Sequence, residues 1–218
     1  MSVSRRQFIE CGAAAGAVCL LSGSTALAAA LEDGVVPQAR PPARVMVDPV
    51  VDSRIVARAR ASFERHRSRL RYTDVVGIAD FSKPSNLPRF YLLDTASGRV
   101  SSHLVSHGRG SDPAHSGWLQ RFSNLHGSNA SSDGGYLTGD FYYGRYGRSM
   151  RLSGLDPSNS NAEARAIVVH SAWYAEPNVA VEQGRLGRSE GCFAMSYRSL
   201  QEVLARLGPG RFLYADKV

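Results

Sequence analysis

The sequence predicts a mainly β domain with a few helices, preceded by an N-terminal helix. Short runs rich in β-branched and aromatic residues follow one another from Val75 toward the end of the chain. Residues 95–99 separate two of these runs as the loop of a hairpin would. Two segments, residues 52–70 and 196–207, have the apolar spacing of helices. Because regular helices do not alternate with the β-rich runs, the pattern argues against a doubly wound α/β fold.

A capped amphipathic helix is expected at the start of the domain. Asp52 or Ser53 can accept hydrogen bonds from the first free amides of this helix. Ile55, Ala59 and Phe63 recur at the spacing that places apolar side chains on one helical face. The opposite face is rich in arginine, which is typical of a solvated surface.

The β-rich runs define the strands of the predicted domain. We expect strands at residues 75–81, 89–94, 100–106, 136–143, 149–152, 166–170 and 211–215. The C-terminal helix carries Ser199 and Glu202 at the spacing of a capping box, and Gly208 is expected to end it. Residues 108–135 and 155–163 are long, polar and rich in turn-forming residues, and such loops in compact domains are often functional.

The N-terminus has the pattern of an export signal. Arg5 and Arg6 precede an apolar pair, as in twin-arginine signals, and an uncharged segment follows over residues 11–31. Small residues near its end offer cleavage sites. We therefore predict that residues 1–30 are a twin-arginine-type signal peptide and that the protein works in the periplasm or cell envelope. The alternative is a membrane anchor, but an alanine- and glycine-rich segment of about 20 residues is weakly apolar for a stable span.

The rest of the sequence divides into a linker and one domain. Residues 31–50 contain four prolines and few large apolar side chains, which predicts an extended linker. Residues 51–218 are long enough to form one catalytic domain with its own core. The formal net charge of the whole chain is +7, which favours anionic wall polymers or membrane surfaces as partners. Nucleic acid is the usual alternative for a basic protein, but export argues against it.

Cys192 stands out because the predicted mature protein carries no other cysteine. Cys11 and Cys19 lie within the predicted signal. A lone thiol exported to an oxidising compartment has no internal disulfide partner, so nucleophilic catalysis is the strongest explanation for it. His170, 22 residues earlier, ends an apolar run that predicts a buried strand. A nearby imidazole can take the thiol proton and leave a reactive thiolate.

Each of these two residues also has an ordinary structural explanation. His170 alone fits a hydrogen-bonded histidine of the core, and Cys192 alone fits a small buried apolar residue. Their combination favours an acyl-transfer site, in which the amides of Gly191 and Cys192 hold a developing oxyanion. The other histidines show no metal-ligand spacing, and no phosphate-binding loop or dinucleotide fingerprint is present. We therefore expect neither a metal nor a cofactor.

Two short motifs resemble those of a known family. The sequence His-Ser-Ala at residues 170–172, followed by Ser-Glu-Gly-Cys at residues 189–192, resembles the signature of the L,D-transpeptidase (YkuD-like) family. The longer sequence over residues 187–194 is most similar to the divergent murein L,D-transpeptidase catalytic-domain branch. Papain-like wall hydrolases place the cysteine before the histidine, so the chain order argues against them.

The resemblance implies a β-sandwich-like fold and a peptidoglycan L,D-transpeptidase activity. Enzymes of this family form a thioester on cysteine with a peptidoglycan stem peptide and pass the acyl group to an amine or, sometimes, to water. Carried over by position, Cys192 is the nucleophile and His170 its general base. The backbone carbonyl of Ser171 would orient the imidazole, and the Gly191 amide would bind the oxyanion.

The resemblance also implies the partners of the reaction. Peptidoglycan stem peptides would serve as donor and acceptor, and β-lactams of the carbapenem class would be inhibitors. Two other functions stay open from the sequence. One is an L,D-carboxypeptidase that uses water as the acceptor, and the other is a non-catalytic peptidoglycan-binding domain that kept the fold.

The same motifs suggest which side chains contact the substrate. Arg188 and Ser189 are expected to line the entrance, where an arginine can bind substrate carboxylates. Glu190 stands where the family usually has histidine. Beside the thiol it would raise the thiol pKa or bind an acceptor amine, whereas toward solvent it would do neither. Further candidates for the walls of the cleft, with core packing as the alternative, are His107, Tyr136 and Trp173.

Overall fold

The computed structural model describes residues 51–218, and the predicted signal peptide and linker lie outside the described residues. The described part is mainly β with three α-helices, one of them N-terminal, which confirms the predicted fold class. The helices are α1 (Ser53–His66), α2 (Pro177–Gln183) and α3 (Tyr197–Leu207). The strands are β1 (Val75–Asp80), β2 (Phe90–Asp94), β3 (Val100–His103), β4 (Gly134–Gly144), β5 (Gly147–Gly154), β6 (Val168–Ser171), β7 (Phe193–Met195) and β8 (Phe212–Asp216). Of the helices in residues 51–218, none combines the length and apolar character needed to cross a membrane.

Helix α1 begins where the sequence predicts because Asp52 caps it. The Asp52 carboxylate accepts a hydrogen bond from a first-turn backbone amide at 2.8 Å. The side chains of Ile55, Ala59 and Phe63 are buried in a cluster with apolar side chains of the sheet. Burying a large apolar side chain contributes about 1.5–3 kcal/mol, so this face fixes the helix on the sheet.

The eight described strands form one hydrogen-bonded sheet in the order β3-β2-β1-β8-β4-β5-β6-β7. The predicted hairpin loop joins β2 to β3, with Leu93 opposite Val100. Two neighbouring pairs are parallel, β1 with β8 and β6 with β7. The second of these pairs positions the candidate site, because it places His170 opposite Ala194.

Side chains from distant parts of the sheet meet in one core. Phe81, directly after β1, stacks on Phe193 of β7 with ring centroids 6.1 Å apart, although four strands separate β1 from β7 in the sheet order. Tyr136 of β4 meets the same Phe193 ring edge-on at 5.5 Å. Helix α3 covers this core with buried leucine and valine side chains. The sheet therefore packs against itself, in the β-sandwich-like arrangement that the sequence resemblance implies.

Three local predictions need correction. Ser196, not Ser199, caps helix α3, since its side chain accepts the Ser199 backbone amide at 3.1 Å. The predicted capping box from Ser199 was therefore wrong, because Ser199 already lies inside the helix, whereas Gly208 ends the helix as expected. Strand β7 and helix α2 were not predicted, because three and seven residues are too few to show a hydrophobic period. The third predicted strand is also shorter than expected and stops at His103.

Candidate active site

His170 is held on β6 with one ring nitrogen already engaged. Its Nδ1 lies 2.8 Å from the backbone carbonyl oxygen of Ser171. A proton on Nδ1 donates to that oxygen, which leaves Nε2 as the basic nitrogen of the neutral ring. Burial lowers the pKa of His170, although the bond to Ser171 opposes this shift. The ring is therefore neutral at pH 7 and able to accept a proton.

The tip of the β4–β5 hairpin covers this histidine. The Tyr146 ring stacks on the His170 ring, with centroids 4.4 Å apart and an interplanar angle of 22°. The hydroxyl of Ser171 donates to the Tyr146 backbone carbonyl at 3.2 Å, which ties the hairpin tip to β6. Sequence reasoning missed Tyr146, because only the pairing of β4 with β5 and of β5 with β6 brings it to the site.

Cys192 directly precedes β7, two residues before Ala194, which pairs with His170 in the parallel β6–β7 ladder. Because side chains two positions apart on an extended chain share a face, this register favours a cysteine and a histidine on one side of the sheet. Gly191, at φ +115°, turns the chain before the cysteine, and Phe193 after it is buried in the core. The turn and the apolar anchor therefore place a partly exposed thiol beside β6.

Some of the surroundings of Cys192 raise the pKa of its thiol and others lower it. Burial raises the pKa of Cys192, and the nearby Glu190 carboxylate raises it further. A hydrogen bond with the Val168 backbone and the positive charge of Arg165 lower the pKa. The sulfur also lies 3.5 Å from the Ala166 carbonyl oxygen, to which the thiol donates. Burial is the largest of these influences, so the pKa of the Cys192 thiol is raised and the thiol is neutral at pH 7.

Internal hydrogen bonds of Ser189 hold the loop before Cys192 together. The Ser189 hydroxyl donates to the Cys192 carbonyl at 2.7 Å and accepts the Gly191 amide at 3.2 Å. Ser189 is buried, so the expectation that it lines the entrance is corrected: it holds the loop together. The predicted oxyanion amide of Gly191 is directed at Ser189 in this structure, because the turn closes on that hydroxyl.

The segment around Gly108 packs against this loop so closely that position 108 has no room for a side chain. A Cβ at Gly108 would lie 2.8 Å from the Gly191 backbone, closer than side chains are tolerated. Ser131 donates to the Gly191 carbonyl at 3.3 Å and accepts the Gly108 amide at 3.0 Å. Both contacts hold the turn at Gly191 against the long loop that precedes β4.

The two charged residues of the motif are both partnered. Arg188 is half-buried and donates to the backbone carbonyls of Asp112 and Pro113, so it fastens a neighbouring loop. Glu190 is exposed and forms an ion pair with Arg109 at 2.9 Å. The Glu190 carboxylate is therefore solvent-exposed two residues before Cys192, and the Arg109 guanidinium partly balances its charge.

Two of the predicted cleft walls are buried instead. His107 is sealed in the interior, with Nδ1 accepting from Arg89 at 2.8 Å and Nε2 3.4 Å from Asp112. Burial and the Arg89 charge lower the pKa of His107 to about 3, so it stays neutral. Tyr136 is fully buried and donates to the Ser132 carbonyl at 2.8 Å. Both predictions of cleft contacts are corrected, because strand β4 turns the Tyr136 ring into the core and the segment after β3 buries the His107 ring between Arg89 and Asp112.

Trp173 has the opposite placement. Its side chain is 74% exposed, so core packing, which the sequence left open, does not apply. It lies in a short 3-10 turn directly after β6 and meets the Tyr174 ring edge-on at 5.8 Å. Of the two predicted aromatic walls, Tyr136 and Trp173, Trp173 is the exposed one. Within residues 51–218, no group of three or more His, Cys, Asp or Glu side chains is placed to hold a metal ion.

The described domain thus combines a mainly β fold with a partly exposed cysteine just before β7 and, on the neighbouring strand β6, a histidine whose Nδ1 is held by a backbone carbonyl. The family model described as the L,D-transpeptidase catalytic domain, YkuD_2, matches residues 48–215. The chain therefore belongs to the L,D-transpeptidase catalytic-domain family. A search among curated proteins finds no match.

Several solved structures match part of the chain at low sequence identity. The L,D-transpeptidase from Mycobacterium smegmatis has 14% identity and a TM-score of 0.40, over 66% of this chain and 58% of that one. L,D-transpeptidase 3 from Mycobacterium tuberculosis, in complex with a faropenem-derived adduct, has 16% identity and a TM-score of 0.43, over 66% and 60%. The helical cell shape determining protein Pgp2 from Campylobacter jejuni has 13% identity and a TM-score of 0.41, over 66% and 47%. The match thus spans at most about three fifths of these three chains.

Proposed function

We propose that this protein is an exported cysteine L,D-transpeptidase that cross-links or remodels peptidoglycan stem peptides through a thioester on Cys192. Family membership supports the reaction class. The observation that carries the proposal is the β6–β7 register, which pairs His170 with Ala194 two residues after Cys192, together with the Ser171 carbonyl that holds Nδ1 of the histidine. The twin-arginine pattern and the net charge of +7 support work in the periplasm on an anionic wall polymer.

The first half of the reaction forms the thioester. Nε2 of His170 takes the proton from the Cys192 thiol, and the thiolate attacks the carbonyl carbon of the peptide bond after the third residue of a stem tetrapeptide. The carbon–nitrogen bond then breaks, and the protonated imidazole gives its proton to the departing amine of the terminal D-amino acid. The Cys192 amide holds the oxyanion, joined by the Gly191 amide when its bond to Ser189 opens.

The second half passes the acyl group to an acceptor. An amine of another stem peptide attacks the thioester carbonyl, His170 accepts the proton that the amine loses, and the carbon–sulfur bond breaks. The thiolate is then reprotonated by the imidazolium, which restores the neutral pair. Water in place of the amine gives an L,D-carboxypeptidase by the same steps.

The exposed groups at the mouth of the site are suited to the acceptor. Glu190 carries a negative charge next to the nucleophile, which favours a cationic amine approaching the thioester. Trp173 offers an open aromatic surface beyond β6 for the body of the substrate. Arg188 contributes indirectly, because its hydrogen bonds to backbone carbonyls hold the neighbouring loop in place.

The decisive experiment incubates the full chain with a purified disaccharide-tetrapeptide and follows both products and intact protein by mass spectrometry. A dimer that has lost one terminal D-amino acid establishes transpeptidation, and its fragmentation names the acceptor amine. Tripeptide alone changes the assignment to a carboxypeptidase. A folded protein that gives neither product nor acyl-enzyme moves the assignment to a wall-binding domain.

Two variants control this experiment. Cys192→Ala removes the nucleophile and is expected to abolish turnover and every acyl adduct, including the adduct expected with a carbapenem. His126→Gln changes an exposed loop histidine and is expected to leave turnover unchanged. Product formation by Cys192→Ala would contradict the thioester mechanism.

A further inference from the structure

Arg165 joins distant parts of one loop behind the nucleophile. Its Nη1 donates to the Ser123 carbonyl and to the Ser132 hydroxyl, each at 2.7 Å. Its Nη2 donates to the Ser128 hydroxyl at 3.2 Å and to the Ala130 carbonyl. One guanidinium thus closes a ten-residue loop by charge-assisted hydrogen bonds, which are stronger than those between neutral groups.

The same guanidinium lies against the turn that carries Cys192. Nη2 of Arg165 is 3.2 Å from the position that a Cβ would take on Gly191. The next residue, Ala166, has φ +54°, and its carbonyl accepts the Cys192 thiol at 3.5 Å. A non-glycine residue in this conformation is strained by about 1–3 kcal/mol and persists only where its surroundings hold it. The backbone at this point therefore keeps the arginine and the sulfur in a fixed relation.

The nucleophile needs a positive charge at this place. Proton transfer from Cys192 to His170 creates a thiolate in a partly desolvated site, and burial disfavours that charged form. The anionic Glu190 next to the thiol opposes the thiolate as well. Tyr174 also faces the site but stays neutral, since burial raises its pKa. Arg165 is the cation that acts against these influences.

We propose that Arg165 is a positioning residue that holds the turn of Gly191 in place and stabilises the anionic form of Cys192. The proton that leaves the sulfur goes to Nε2 of His170, while the guanidinium keeps its own proton throughout. Arg165 acts through Cys192 and does not touch the substrate. The consequence for transpeptidation rests on the proposed function, whereas the effect on the thiol is measurable without any peptidoglycan.

The test is the pH dependence of Cys192 alkylation by iodoacetamide in the full chain. Alkylation is followed by mass spectrometry on the peptide that contains Cys192, since Cys11 and Cys19 also react. Arg165→Gln is expected to raise the apparent pKa of the Cys192 thiol by about 1 and to slow alkylation at pH 7 about tenfold. Arg165→Lys keeps the charge and is expected to stay within about threefold of the unmodified protein.

A matched control separates charge from loop structure. The double variant Ser128→Ala, Ser132→Ala removes both hydroxyl acceptors of the guanidinium but leaves its charge. It is expected to lower the Tm and to leave the thiol pKa unchanged. An equal loss of alkylation in this double variant and in Arg165→Gln would show a structural role alone and overturn the inference.

Two further outcomes keep the inference apart from the proposed function. If Arg165→Gln does not fold, Arg165→Lys decides, because a tenfold slower alkylation of that variant removes the electrostatic role. If the unmodified protein forms no product from a tetrapeptide but shows the expected shift in Arg165→Gln, the proposed function fails while the role of Arg165 stands.

Discussion

Two histidines of this domain, His170 and His107, are buried to a similar degree but differ in the hydrogen-bond partners of their ring nitrogens. His170 is 3% exposed and His107 is 1% exposed, and burial lowers the pKa of both. Both ring nitrogens of His107 have partners, Arg89 on one side and Asp112 on the other. In His170 only Nδ1 is engaged, by the neighbouring carbonyl, and within residues 51–218 no hydrogen bond occupies Nε2.

This difference separates the two histidines. Burial and a lowered pKa are shared by both rings, so neither property tells them apart. The Nε2 of His170, which has no hydrogen bond within residues 51–218, distinguishes His170 as the candidate base. His107 instead holds the loop before Cys192, since its backbone carbonyl accepts the Ser189 amide at 2.9 Å.

The largest expected effect is the difference between two single variants, His170→Gln and His107→Gln. His170→Gln loses the base and is expected to lower the rate of thioester formation at least about 100-fold, with little change in Tm. His107→Gln is expected to lower the free energy of unfolding by about 1–3 kcal/mol and to leave the rate per folded molecule within about threefold. Acylation by a carbapenem, measured by intact mass, and thermal unfolding check both expectations.

The opposite pattern would break the comparison. If His107→Gln, shown by circular dichroism to be folded, lost acylation as fully as His170→Gln, the interior cluster would belong to the reaction itself. His126→Gln again serves as the control for an exposed histidine.

The second prediction concerns pH and stability. Because folded His107 keeps a neutral ring down to a pKa of about 3, the unfolded chain binds a proton that the folded protein does not as the pH falls below about 6.5. Stability is therefore lost with falling pH, by about 2 kcal/mol between pH 7 and pH 5 from this group. His170 acts in the same direction, since its pKa is also lowered.

Urea unfolding of the full chain at pH 7 and pH 5 measures this loss. His107→Gln has no titrating ring at this place, so its stability is expected to fall less over the same interval. An unchanged difference between the two pH values in that variant would mean that folding does not lower the pKa of the His107 ring.

The sequence predicted those parts of the fold that depend on local pattern. Val76 and Ile78 alternate with side chains on the other face of β1, and Ile55 and Phe63 share one face of α1, so both elements were recognisable. The predicted roles of Cys192, His170 and the Ser171 carbonyl came from motifs, and they stay predictions. In the structure Nδ1 of His170 lies 2.8 Å from the Ser171 carbonyl oxygen.

The contacts that the sequence did not reveal join residues far apart in the chain. Arg165 bonds Ser123, 42 residues away, and nothing local in either segment indicates that partner. Whether an aromatic ring faces solvent depends on the tertiary placement of its segment: Tyr136 on β4 is buried, whereas Trp173 in the turn after β6 is exposed. The engagement of the Gly191 amide by Ser189 likewise follows from a turn geometry that residue types do not define.

The third prediction, which has the smallest expected effect, concerns the orientation of the His170 ring. Tyr146→Leu removes the stacked ring but keeps an apolar cover on the imidazole, so the base stays in place with a less fixed orientation. We expect kcat to fall about threefold to tenfold, with KM for the tetrapeptide nearly unchanged, since orientation of a base affects the transition state more than substrate binding. The matched change Tyr143→Leu alters an 83% exposed tyrosine on the same hairpin and is expected to leave kcat unchanged. Equal losses in both variants would assign the effect to the hairpin as a whole, and no loss in either would mean that the Ser171 carbonyl alone is enough to orient the ring.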